Sequence, residues 1–195
     1  GSVRPLIQLL RTPAAIALGV LFFVYVGTEN AMGGWLASYA KRLTDSSGTI
    51  WVTVPSFFYA GLLAGRALAP VMLRRVAEVQ LARASMAMAL LGLVTLLSSR
   101  SMAGVMVSAS VVGLGLAAIY PITISLLSGA FGVGATRLGS VMFMLAGFGA
   151  ACMPWLVGAA STQMSSLKVG LAVPLAGCVL MLGLYFRNWS RAASA

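Results

Sequence analysis

Glu29 is the residue of this chain best suited to chemistry, because it is an acid inside a long apolar segment. Only three residues are acidic, Glu29, Asp45 and Glu78. A helical rise of 1.5 Å per residue places Glu29 about 22 Å from Ala14, past the middle of its apolar segment. A carboxylate at the centre of a bilayer costs about 2.5–3.5 kcal/mol, so its side chain should face protein or water. Glu29 is therefore a candidate proton carrier or acceptor for solute hydroxyls; the alternative is a structural carboxylate.

Three further side chains are predicted to bind solute together with Glu29. Tyr25 lies one helical turn before Glu29 and on the same face. Asn30 follows Glu29 but projects about 100° round the helix, so it reaches a shared cavity only at the edge. Tyr120 stands beside Pro121 in another apolar segment, and its ring offers both a stacking face and a hydroxyl.

Several kinds of enzyme and metal site are excluded by missing residue types. The chain contains no histidine, which removes Ser–His and Cys–His hydrolases and histidine-ligated metals or haem. Three acids are too few for paired-carboxylate catalysis or an oxygen-ligated metal cage. Cys152 and Cys178 form no CxxC pair. We therefore expect no enzyme, no metal and no cofactor.

The composition predicts an integral membrane protein surrounded by lipid. Among 195 residues, 60% are hydrophobic and 8% are charged, against about 45–50% and about 25% in soluble domains. The mean hydropathy is +0.99. Thirteen Lys and Arg residues give a net charge of +10. Because they stand mostly between apolar stretches, they indicate membrane topology rather than nucleic-acid binding.

Six apolar stretches are long enough to span a membrane, which requires roughly 20 residues each. They cover residues 14–39, 50–73, 79–97, 102–127, 138–160 and 168–186, and are called spans one to six. Their continuous apolarity argues against the alternating strands of an outer-membrane barrel. The predicted fold class is an all-α bundle of six transmembrane helices.

The positive charges predict that both termini are cytoplasmic, in an inner or plasma membrane. Eight basic residues lie on one side: Arg4, Arg11, Arg74, Arg75, Arg83, Arg137, Arg187 and Arg191. The other side has four: Lys41, Arg42, Arg100 and Lys168. Basic residues concentrate in cytoplasmic loops. The glycosylation pattern at Asn188 lies on the predicted cytoplasmic side and is treated as chance. Aromatic residues near the predicted outer interface, Trp35, Tyr39 and Trp51, are predicted to be interfacial belt residues.

The six spans differ in what they carry. Spans three and six are nearly featureless, which predicts a lipid-facing or supporting role, whereas the other four hold most Gly, Pro, aromatic and polar residues. Such residues line pathways, although small residues also simply pack helices. A shift of 84 residues superimposes span two on span five and matches Ser56 with Ser140, Gly65 with Gly149, Ala67 with Ala151 and Pro70 with Pro154. This pattern predicts a 3+3 inverted repeat, which is typical of secondary transporters.

Three segments resemble the C-terminal half of major facilitator superfamily carriers, especially the fucose-permease-like sugar transporters. The run from Phe22 to Glu29, followed by Trp35 to Tyr39, resembles the first helix of that half. The run from Gly61 to Arg66, followed by Arg74 and Arg75, is similar to the loop motif after its second helix, with Gly65 replacing the usual Asp and Leu68 a usual Gly. Gly149, Pro154 and Gly158 resemble its fifth helix.

The resemblance implies half of a major facilitator fold that lacks an N-terminal six-helix half. The opening Gly1-Ser2 without Met fits a fragment or a processed chain. In the family, the arginine that matches Arg66 belongs to a charge relay that gates the inner face; the alternative is snorkelling towards headgroups.

These observations favour half of a secondary carrier that moves a small polar, sugar-like solute by alternating access, with proton coupling as an option. Three alternatives remain open. An intramembrane enzyme would need a nucleophile and a base, which the chain lacks. A non-transporting assembly subunit predicts uniformly lipid-facing spans. A channel subunit requires rings of like residues, for which Glu29 is the sole candidate.

Overall fold

The structure is a computed structural model that describes residues 6–43 and 48–187. The described part does not include Gly1, Ser2, Arg4, Asp45, Asn188 or Arg191. Within the described part the ordered elements are helices, with no strand.

Nine α-helices, numbered in chain order, occupy the described residues. They are α1 (Leu6–Leu10), α2 (Pro13–Leu43), α3 (Val54–Leu73), α4 (Glu78–Ser98), α5 (Met102–Ala117), α6 (Ile119–Phe131), α7 (Ala135–Gln163), α8 (Leu167–Gly170) and α9 (Ala172–Tyr185). Short 3-10 turns at Ile50–Thr53 and Gly132–Gly134 precede α3 and α7. Each predicted span therefore lies on one helix or on two consecutive ones.

Five stretches of the described residues are long and apolar enough to cross a membrane, one fewer than the six predicted spans. The difference arises at Met102–Gln163, a stretch of 62 residues that contains spans four and five. The turn at Gly132–Gly134 joins α6 directly to α7 without an extended loop, and Gly132 has a φ of +49°, which glycine adopts easily.

Two prolines account for the helices that are split. Pro121 has no N–H to donate to the carbonyl of Ala117, the last residue of α5. Pro174 likewise has none for Gly170, the last residue of α8. The helix resumes one residue later in both places, so spans four and six are each made of two helical pieces.

The helix α2 is the centre of the bundle and packs most closely against α7, while α3 packs most closely against α5. Glycines lie at these crossings. Gly149 of α7 abuts the backbone of Phe23, and Gly113 of α5 abuts the backbone of Phe58. Small residues permit such approach between membrane helices. A three-plus-three repeat exchanges span one with span four and span two with span five, so it would interchange these two pairs; the repeat itself stays a prediction.

Burial within this chain does not set spans three and six apart as the most exposed ones, so their lipid-facing or supporting role stays a prediction. The apolar stretch of span two is only 28% buried, against 44% for span three and 39% for span six. The reason is that α3 flanks the bundle and packs on α5 along one narrow face. Apolar content alone does not distinguish a surface that meets lipid from one that meets another protein, because lipid tails are as apolar as leucine.

Two predicted belt residues instead pack inside the bundle. Tyr39 is buried, and its hydroxyl donates a hydrogen bond to the carbonyl of Leu96 at 3.2 Å. Trp35 is half-buried, and its Nε1 donates to the carbonyl of Pro154 at 2.9 Å. Both side chains find a polar partner on a neighbouring helix, so neither depends on the headgroup region for one.

Candidate functional site

An ion pair between α2 and α3 lies at the centre of the candidate site. Arg66 Nη2 lies 3.1 Å from Glu29 Oε2 and 3.4 Å from Glu29 Oε1. The Arg66 side chain is 45% exposed and that of Glu29 is 19% exposed. The carboxylate thus faces protein and a cavity, as its cost in hydrocarbon requires. Removing either partner would leave the other as an unpaired charge in a poorly hydrated place.

Tyr25 completes the ion pair. Its hydroxyl donates to Glu29 Oε2 at 2.5 Å and accepts a long hydrogen bond from Arg66 Nη2 at 3.4 Å. The four-residue spacing on α2 brings the two side chains together on one face, as the sequence predicted. Because Tyr25 is buried, its hydroxyl is committed to holding the carboxylate and the guanidinium in place.

Tyr120 adds an aromatic wall from α6. Its ring lies 5.8 Å from the ring of Tyr25 and 6.0 Å, edge-on, from that of Phe22. A cavity of about 530 Å³ is lined by Tyr25, Val26, Glu29, Arg66, Tyr120 and Pro121. Ligand cavities typically enclose about 300–1,000 Å³, so this volume suits a small solute.

Asn30 does not share this cavity. It is exposed, and its Nδ2 donates to the carbonyl of Val26 at 2.8 Å on its own helix. The 100° offset from Glu29 explains the separation. Its predicted contact with solute stays a prediction.

Arg66 lies beside Glu29, a pairing that sequence reasoning missed. Between the two alternatives considered for this arginine, the geometry shows the guanidinium directed at an acid rather than at headgroups. One signal could have revealed the pair: Glu29 is the only acid inside a predicted span, and Arg66 is the only basic residue inside span two. The gating role of Arg66 stays a prediction.

No metal site accompanies this cluster. Among residues 6–43 and 48–187, no group of three or more His, Cys, Asp or Glu residues could hold an ion. The arrangement instead offers an acid, a guanidinium and an aromatic face around one open volume. Such groups bind a polar solute by hydrogen bonding and stacking.

Comparison with known proteins identifies the architecture. No protein-family model matches the chain, and no curated protein matches it significantly. A crystal structure of the fucose:proton symporter of Escherichia coli matches with a TM-score of 0.81, at 17% sequence identity and over 94% of this chain. The chain has the fold of one half of a major facilitator carrier. The predicted half-carrier fold, and its likeness to fucose-permease-like carriers, are thereby confirmed at the level of structure.

The chain spans 45% of the symporter's length. The five long apolar stretches of the described residues, in this fold, support an integral membrane protein.

Proposed function

We propose that this half-carrier belongs to a secondary active transporter that moves a small, sugar-like solute by alternating access. The observation that carries the proposal is the cavity in which Glu29, Arg66 and Tyr120 meet. The paired acid and guanidinium supply acceptors and donors for hydroxyl groups. The ring of Tyr120 offers an apolar face on which the C–H face of a sugar can stack.

The same ion pair supports proton coupling. When Glu29 is ionised, the Tyr25 hydroxyl and the Arg66 guanidinium both donate hydrogen bonds to its carboxylate. Protonation would remove its charge and weaken its hold on Arg66, which would then turn its donors towards solute. A proton and a solute would in this way share one set of groups.

The partner of the chain is an N-terminal six-helix half. In carriers of this architecture, the solute binds between repeats near the middle of the membrane. The helix α3 exposes large apolar side chains that lipid or the other half would cover: Phe57, Leu63, Leu68, Val71 and Met72. The cavity beside Arg66 would be enclosed by that half.

Uptake by the intact carrier tests the function. In liposomes with an imposed proton gradient, the intact carrier should accumulate radiolabelled fucose or another sugar of a small panel, with saturable kinetics. The 195-residue chain alone should give no saturable uptake, because half of the wall is missing. Failure of every sugar to accumulate would contradict the proposed function; uptake by the chain alone would mean that it pairs with itself.

Cysteine labelling tests the proposed cytoplasmic termini. Gly48→Cys lies at the exposed join of spans one and two, and Val76→Cys lies at the exposed turn between α3 and α4. In a background without Cys152 and Cys178, an impermeant maleimide should label Gly48→Cys in intact cells and Val76→Cys only after permeabilisation. The reverse labelling pattern would contradict the predicted topology and place both termini outside.

A further inference from the structure

Tyr59 is an aromatic residue near the site that neither the motifs nor the cavity lining includes. It precedes Arg66 by seven residues, or two turns, and so lies on the same face of α3. Its side chain is 48% exposed. Within the part of the chain that the structure describes, its hydroxyl has no hydrogen-bond partner, whereas the hydroxyl of Tyr25 is committed to Glu29 and Arg66.

The absence of a side chain at Gly33 makes room for that hydroxyl. A Cβ atom added to Gly33 would overlap the hydroxyl oxygen of Tyr59 and lie 2.9 Å from its Cζ atom. The phenol end therefore rests on the bare backbone of α2. The adjacent Gly34 has nothing within 4 Å of such an atom, so only position 33 makes this room.

The contact between Tyr59 and Gly33 lies on the same face of α2 as Glu29. Gly33 follows Glu29 by four residues, so the two share a face of α2 and are separated by about 6 Å along it. Tyr120 lies against Phe22 and Tyr25, on the other side of Glu29 along the same helix. The ion pair is thus flanked by Tyr120 towards the Pro13 end and by Tyr59 towards the Leu43 end.

We propose that Tyr59 is a solute-contacting specificity residue, whose phenol end can lie against α2 because Gly33 has no side chain. The proposal rests on the proposed transport function. The Tyr59 hydroxyl rests against Gly33, whose backbone is displaced by about 6 Å, or one helical turn, from that of Glu29 along α2. A sugar bound at Glu29 or Arg66 that extends along α2 by one turn therefore reaches this hydroxyl. Tyr59 then selects solutes with a hydroxyl at that position.

Exchange kinetics of the intact carrier test this proposal, with radiolabelled fucose, or the sugar of the panel that the wild type takes up, as the probe. Tyr59→Phe should raise KM about three- to tenfold, which corresponds to the loss of one hydrogen bond, with Vmax unchanged. Gly33→Ala should raise KM similarly, because its methyl group displaces the flexible phenol end. Gly34→Ala is the matched control and should leave KM unchanged.

The double variant distinguishes a shared role from two separate ones. Combining Gly33→Ala with Tyr59→Phe should raise KM no further than Tyr59→Phe alone, since both changes remove the same contact. Additive effects, or a Tyr59→Phe variant with wild-type KM, would overturn the role of Tyr59 while wild-type transport still supports the proposed function. A change in Vmax with KM constant would also overturn it. If the wild type transports no sugar, both proposals fall.

Discussion

Glu29→Gln should reduce proton-driven accumulation of solute by the intact carrier to the level reached without a gradient, while exchange continues. The amide keeps the size of the side chain and can still accept the hydrogen bond from Tyr25. It carries no titratable group, so a transport cycle that depends on protonation of this residue loses its coupling. Uptake with and without a proton gradient, measured in the same liposome preparation, separates the two activities.

Glu78→Gln is the matched control for this prediction. Glu78 is the other acid in the described part of the chain, and its Oε1 accepts a hydrogen bond of 2.6 Å from Ser125, away from the cavity. Its replacement should leave driven uptake near the wild-type level. If Glu29→Gln kept both activities, the functional role of Glu29 would be wrong, although the fold would stand. Loss of both, with normal surface expression, would assign Glu29 to solute binding instead.

Gly149→Ala should reduce the yield of folded protein and its unfolding free energy by about 1–3 kcal/mol, the usual cost of overpacking. Its Cβ would overlap the carbonyl oxygen of Phe23 and lie 2.8 Å from the carbonyl carbon. Because those atoms belong to the backbone of α2, the helices α2 and α7 must move apart. Phe23 is two residues from Tyr25, so the shift should also disturb the site. Thermal unfolding of the purified intact carrier measures the effect.

Gly147→Ala is the control on the same helix, two residues earlier. An added Cβ there has nothing within 4 Å, and alanine favours a helix more than glycine by about 1 kcal/mol. This variant should match or exceed the wild-type melting temperature. Equal destabilisation by both substitutions would show that the close crossing at Gly149 does not govern stability.

Contacts between residues of the same helix could be predicted from the sequence, because they depend only on local helix geometry. The Tyr25–Glu29 hydrogen bond follows from a four-residue spacing, and the separation of Asn30 follows from a rotation of 100°. The pairing of Glu29 with Arg66 joins positions 37 residues apart, and it depends on which helices are neighbours. Apolar patterning identifies spans but does not say which spans touch. The contact between Tyr59 of α3 and Gly33 of α2 could not be predicted from the sequence for the same reason.

The helix break at Ala118 has a mechanical consequence. A continuous helix resists bending because each bend stretches the hydrogen bonds on its outer side. Where Pro121 leaves the carbonyl of Ala117 without its usual donor, that resistance is already reduced. The piece from Ile119 to Phe131, which carries Tyr120, is therefore joined to Met102–Ala117 by fewer backbone hydrogen bonds than a continuous helix would have, while Met102–Ala117 packs on α3 and α4. Tyr120, two residues from Ala118, thus forms its wall of the cavity next to the point where this helix is weakest.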